Sequence, residues 1–232
     1  MSRRTEPLTR EHLAVLDAPC RHCVFWEVDP VRRGRLDAGE AAAEKEAWLG
    51  EVLREWGSCG RVMLVDGRPA GYATYAPAAF VPGADGFATA PVSPDAVLLT
   101  TVYVDRAHSG GGLGRMLVQA MAADLLKRDV GAVEAFGDLR GPGRLPKGPG
   151  TRCVVPVDFL GRVGFVTQRP HPTTPRLRMD LRATVTWRGE LEAAVERLLG
   201  AVRPERAPTP SPKATRSVRV PGREAAQGGR LR

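Results

Sequence analysis

No apolar run in these 232 residues approaches the roughly 20 that a membrane-crossing helix needs, so no membrane span is expected. The basic start, Met1 to Glu6, leads into no apolar signal region, and the expected location is the cytoplasm. Cysteine is scarce, with four residues in all. Cys20 and Cys23 have C-x-x-C spacing, but no second such pair exists, so a structural zinc would have to recruit Cys59, Cys153 or a histidine from afar. Inert reduced thiols, a metal site and a redox pair all stay open for these cysteines. No Gly-Lys-Ser/Thr ending follows a glycine loop, which excludes a Walker-type nucleotide site.

A hydrophobic share of 43% and a charged share of 26% fit a globular domain with a substantial core. The net charge of +8 is uneven: Ala201 to Arg232 carries +6 of it. That tail has no aromatic to stack on bases, so a solvated, disordered extension is expected. Non-specific attraction to nucleic acid is the alternative.

The apolar pattern divides the rest. Residues 8 to 18 suit a short helix, and Cys20 to Glu27 is a compact cluster of thiols, a histidine, Phe25, Trp26 and Glu27. Trp48, Leu49, Val52, Leu53 and Trp56 recur at helical spacing, which predicts a helix over Ala38 to Trp56. Arg61 to Val65 and Ala70 to Tyr75 flank Asp66-Gly67, the signal of a β-hairpin. Ala96 to Val104 reads as a buried central strand. Leu113 to Leu125 reads as a helix, Gly131 to Phe136 as a strand parallel to the central one, and Val157 to Val163 as a short helix. Phe165 to Gln168 and Leu177 to Leu181 read as last strands, and Trp187 to Leu199 as a helix.

Between the central strand and the helix after it stands Ser109-Gly110-Gly111-Gly112-Leu113-Gly114-Arg115. Glycines let backbone approach a ligand, and a helix start presents several N–H groups and positive potential together. This makes an anion site, ordinarily for phosphate. Its place, mid-chain after an antiparallel hairpin, is not that of a dinucleotide-binding βαβ repeat.

Three segments in order resemble the GNAT superfamily of acetyl-CoA-dependent N-acetyltransferases. Val65 to Ala73 resembles the family's second hairpin. Val102 to Leu117 resembles its pyrophosphate motif, Arg/Gln-x-x-Gly-x-Gly/Ala. Phe159 to Phe165, with Arg178 to Leu181, resembles its C-terminal helix, Gly-Phe turn and last strand. The resemblance implies an α/β fold with a central mixed sheet, flanking helices and a splayed strand pair that binds acyl-CoA. It implies a domain over residues 1–184, a C-terminal helix over 185–202, and the basic Pro/Arg-rich tail over 203–232.

The resemblance also implies roles. Ser109, Gly110, Gly111, Gly112, Leu113, Gly114 and Arg115 would hold the pyrophosphate of acetyl-CoA. Val102, Tyr103 and Val104 would bind its pantetheine arm, with Cys153 in the slot of the usual asparagine. The acceptor is an amine of unassigned identity, small molecule or protein, acetylated by direct attack. Ser109 departs from the usual Arg or Gln, and the usual tyrosine acid is Leu160, which cannot protonate a thiolate. That departure keeps a weak or regulatory acyl-CoA-binding module as an alternative. Glu27, beside Trp26, is the candidate base, since a carboxylate can help deprotonate an ammonium and an aromatic can hold a cation. No metal ligand set is assigned.

Overall fold

The computed structural model describes residues 1–16, 18, 22–140 and 153–182. The chain divides into two units, Met1–Leu191 and Glu192–Arg232, and all described residues fall in the first. The helix expected over Trp187 to Leu199, the basic tail and Cys20 lie outside the described residues.

The elements run β1 (Arg3–Pro7), α1 (Arg10–Val15), α2 (Pro30–Arg33), α3 (Ala38–Glu55), β2 (Gly60–Val65), β3 (Arg68–Pro77), β4 (Ala96–Val104), α4 (Leu113–Lys127), β5 (Ala132–Asp138), β6 (Val155–Pro156), α5 (Val157–Arg162), β7 (Val166–Arg169) and β8 (Arg176–Asp180). The sheet order is β1-β2-β3-β4-β5-β8-β7, with β6 paired to β5. All neighbours are antiparallel except β4 with β5 and β5 with β6. This is the mixed α/β sheet expected from the sequence.

Local signals account for most boundaries. Asp66 and Gly67 both take positive φ, 48° and 80°, which matches the twist a two-residue hairpin requires. Asp37 caps α3 through Gly39 and Glu40 N–H, while Glu40 reaches back to the Asp37 N–H. β1 gave no sequence signal: Arg3 to Pro7 is a largely exposed polar edge strand without apolar alternation.

Alternation along the strands feeds two cores, one on each sheet face. Tyr72, Leu98 and Phe136 pack with Trp26, Trp48, Leu49 and Val52 under α1 and α3. Tyr75, Val97, Leu99 and Val133 pack with Leu117, Met121 and Leu125 of α4 and with Leu160 of α5. Leu53, expected on the buried stripe of α3, is 36% exposed.

Two devices shape the centre of the sheet. Thr74 pairs with Thr101 and Tyr75 with Leu99, so Thr100 is an extra residue in β4, a bulge. Bulges bend a strand and raise its twist. The Thr100 hydroxyl fixes this one by donating to the Thr74 carbonyl at 3.0 Å. The pairing of β4 with β5 then stops at Leu98 and Glu134, although both strands continue. Beyond that vertex the strands part.

Glu134 is fully buried at the vertex, 3.1 Å from Arg176 and 3.5 Å from Arg178, and it accepts from the Ser93 N–H. Removing one partner of a buried ion pair strands the other charge. Glu134→Leu is expected to lower unfolding free energy by about 3–5 kcal/mol, read by urea denaturation.

Candidate active site

The glycine loop hangs from the end of β4. Asp105 accepts from the Ala107 N–H at 2.9 Å and starts a single 3₁₀ turn over Arg106–His108. The Ser109 hydroxyl turns back to the Asp105 carbonyl at 3.3 Å. Gly110 and Gly112 then take φ +80° and +77°, a region that strongly favours glycine. Among the described residues, nothing beyond the chain neighbours lies within 4 Å of where a Cβ would stand at either, so the loop's outer surface is open there.

Gly112 caps α4 without a side-chain hydrogen bond, and the first turn of α4 holds no acid. The opening N–H groups of a helix lack intrahelical partners, and the dipole adds positive potential there. Arg3 adds a cation by donating to the Gly111 carbonyl at 3.0 Å. Gly114 serves a different end: a Cβ there would stand 3.0 Å from the Phe159 ring, so it lets α4 close on α5. Arg115 turns toward α5 and donates to the Arg162 carbonyl at 3.2 Å, while Leu113 is buried.

The fork between β4 and β5 adjoins this loop. Val102, Tyr103 and Val104 pair with Ala73, Tyr72 and Gly71 on one edge; their other edge faces the fork, where β5 has diverged. β5 is paired on its outer edge with β8, and that edge continues through the Gly137 N–H to the Pro175 carbonyl. β6 therefore pairs with the inner edge of β5, on the side β4 has left.

The acceptor-side residues are placed differently from expectation. Trp26, expected to face a substrate, is 2% exposed, stacked on Phe87 at 5.2 Å, and donates from Nε1 to the Cys153 carbonyl. Glu27 is buried in an ion pair with Lys45, whose Nζ also donates to the Cys23 carbonyl. An indole with a chain carbonyl as partner and a carboxylate with a buried ammonium fold inward, because both can be satisfied there. Leu160 in the tyrosine slot is fully buried against Gly137.

Phe25, Trp26, Phe87 and Phe136 form one aromatic cluster, Phe87 and Phe136 stacked at 4.2 Å. Phe136 belongs to β5 just beyond the vertex. A cavity of about 410 Å³ adjoins the cluster, lined by Phe25, Arg33, Phe87, His171 and Thr174 among others, with no carboxylate among the described lining residues. Arg33 lies 4.4 Å from the Phe25 ring centroid and donates to the Phe25 carbonyl at 2.6 Å. None of Arg33, Phe87 and His171 was singled out from the sequence. They come from three separate segments, and only helix and loop packing gathers them. A larger cavity of about 900 Å³ lies along α4, α5 and β7–β8, lined by Val118, Ala122, Val166 and Met179, and it touches the glycine loop only at Arg115.

Among the described residues no group of three or more His, Cys, Asp or Glu side chains is placed to hold a metal. No described helix is long and apolar enough to cross a membrane.

Residues 25–139 match the sequence model of the acetyltransferase (GNAT) family. That span runs from the aromatic cluster through the hairpin, central strand, glycine loop and β5. This domain belongs to the GNAT family of acetyltransferases, and the chain is an acyltransferase. No curated protein matches the sequence. Among solved structures, one described as an acetyltransferase is 16% identical, with a TM-score of 0.51, over 77% of this chain and 99% of its own. yncA from Salmonella typhimurium, solved with its cofactor acetyl-CoA, is also 16% identical, with a TM-score of 0.50, over 77% of this chain and 94% of its own. At such identity these likenesses speak for the fold.

Proposed function

We propose that this acetyltransferase moves the acetyl group of acetyl-CoA to the amine of an acceptor that also carries a negative charge, by direct attack and in the cytoplasm. The observation that carries the first half is the open glycine loop at the mouth of the β4–β5 fork. Gly110, Gly111, Gly112, Leu113, Gly114 and Arg115 offer backbone N–H groups to the pyrophosphate, with Arg3 as countercharge. Ser109 supplies a hydroxyl where the family has a longer donor. The fork-facing edge of Val102, Tyr103 and Val104 runs beside the pantetheine arm, and N–H groups at the fork stabilise the oxyanion that develops on the thioester carbonyl. Cys153 lies across the fork, just ahead of β6. Leu160 offers no proton, so water protonates the departing thiolate.

The acceptor enters from the opposite sheet face, where the 410 Å³ cavity meets the aromatic cluster. Among the described lining residues Arg33 supplies the positive charge, and it favours an anionic group on the acceptor. An alkyl amine with a pKa near ~10.4 is neutral in roughly one molecule per several thousand at pH 7, so deprotonation limits attack. Glu27, paired with Lys45 behind this cavity and not part of its lining, takes the proton through a relay rather than by direct contact, its Oε2 having no hydrogen-bond partner among the described residues.

Acetyl-CoA at about 100 times its dissociation constant is expected to raise the unfolding midpoint by about 5–10 °C. Adenosine should give no shift, nor acetyl-CoA with Gly112→Asp; an equal shift in that variant removes the loop from the site. Arg33→Gln is expected to raise KM for carboxylate-bearing amines roughly 10- to 100-fold, the worth of a charge-assisted hydrogen bond, and to leave neutral amines unaffected. Equal loss for both classes sinks the anionic-acceptor reading. Glu27→Gln, assayed well below its unfolding midpoint, is expected to lose kcat while keeping its affinity for acetyl-CoA. Unchanged kcat assigns deprotonation to solvent.

A further inference from the structure

Two thiols meet at the fork from opposite ends of the domain. The sulfurs of Cys23 and Cys153, 130 positions apart in sequence, stand 3.2 Å from each other. Neither is in a disulfide. Cys23 opens the turn that carries Phe25, Trp26 and Glu27, and its carbonyl is held by Lys45. Cys153 leads into β6 on the inner edge of β5, and its carbonyl holds Trp26. The contact thus joins the segment that walls the acceptor cavity to the strand that walls the fork.

We propose that Cys23 and Cys153 form a peroxide-reactive dithiol whose disulfide switches acetyl transfer off. Cys23 is the attacking sulfur because it is the half-buried one, within reach of a small oxidant, whereas Cys153 is 5% exposed. The hydrogen bond from Cys153 brings the Cys23 thiol down to about 7 against the effect of burial, aided by a backbone N–H at Phe25 and by the Lys45 charge. Cys59 is the internal contrast: it is fully buried, and burial pushes its thiol up to about 12. Only a thiolate attacks at a useful rate.

The chemistry balances with a hydroperoxide as oxidant. The Cys23 thiolate attacks the distal peroxide oxygen, forming a sulfenic acid and releasing an alcohol, or water from hydrogen peroxide. The Cys153 sulfur then attacks the Cys23 sulfur, the S–O bond breaks, and water leaves. Two thiols have lost two electrons and two protons to the peroxide. A dithiol reductant reverses this by exchange. Closing the bond draws the sulfurs together by about 1 Å, enough to displace Trp26 and Phe25 relative to the fork. Misplacement on that scale costs acyl transfer far more than it costs binding of the nucleotide end.

The site itself stands apart from the proposed reaction; its effect on turnover rests on the acceptor reading above. The test uses the full chain, first assayed for metal content, then titrated with hydrogen peroxide and digested for mass spectrometry. The expected product is a Cys23–Cys153 cross-linked peptide lighter by two hydrogens, absent in Cys23→Ser and intact in Cys59→Ser. Transfer is expected to fall at least tenfold on oxidation and to recover with dithiothreitol, with acetyl-CoA affinity unchanged and the Cys23→Ser enzyme insensitive. Iodoacetamide is expected to label Cys23 with a midpoint near pH 7 and to leave Cys59 unlabelled. A stoichiometric metal held by these thiols, a Cys20–Cys23 bridge, or overoxidation without the cross-link overturns the dithiol. The cross-link with undiminished transfer overturns the switch and leaves the site.

Discussion

Everything around the site depends on the parting of β4 from β5 beyond Leu98 and Glu134. Two parallel strands that continue side by side would satisfy one another's backbone groups. Here the bulge at Thr100, held by Thr74, turns β4 away while β8 keeps β5 in place. The result is a strand edge inside a sheet that no described strand pairs with, next to an open glycine loop. Backbone polar groups in a protein interior require partners, and this supports the proposed seat of the pantetheine arm in the gap.

Buried charge holds the gap open without filling it. Glu134 with Arg176 and Arg178 locks the vertex, and Glu27 with Lys45 locks the acceptor-side segment. The aromatic cluster from Phe25 to Phe136 fills the space between these two locks. The rigid parts of the domain therefore surround the fork, while the loop of Ser109 to Gly112 presents backbone to solvent.

The elements with strong local chemistry were legible in advance. The hairpin at Asp66-Gly67, the strand Ala96–Val104, the stripe of α3 and the Gly112 start of α4 all follow from turn residues, periodicity or capping within a short window. Two of the loop glycines were legible for the reason they matter: Gly110 and Gly112 occupy positive φ. β1 escaped because an exposed polar edge strand has no period to read. Trp26 and Glu27 were read as substrate-facing because an aromatic beside a carboxylate looks the same whether it faces a ligand or a core. Their partners in the fold, Cys153 and Lys45, turn both side chains inward, and they lie 127 and 18 positions away.

By itself the sequence determined the order of the elements from α3 to β5, the glycine loop between β4 and α4, and the family, because each is written in residues close together along the chain. The tertiary structure alone decided the vertex at Leu98 and Glu134, the meeting of Arg33, Phe87 and His171 around one cavity, and the 3.2 Å approach of Cys23 to Cys153. Such juxtapositions depend on how separate elements pack across the sheet, and packing leaves no local pattern in the sequence for a reader to find.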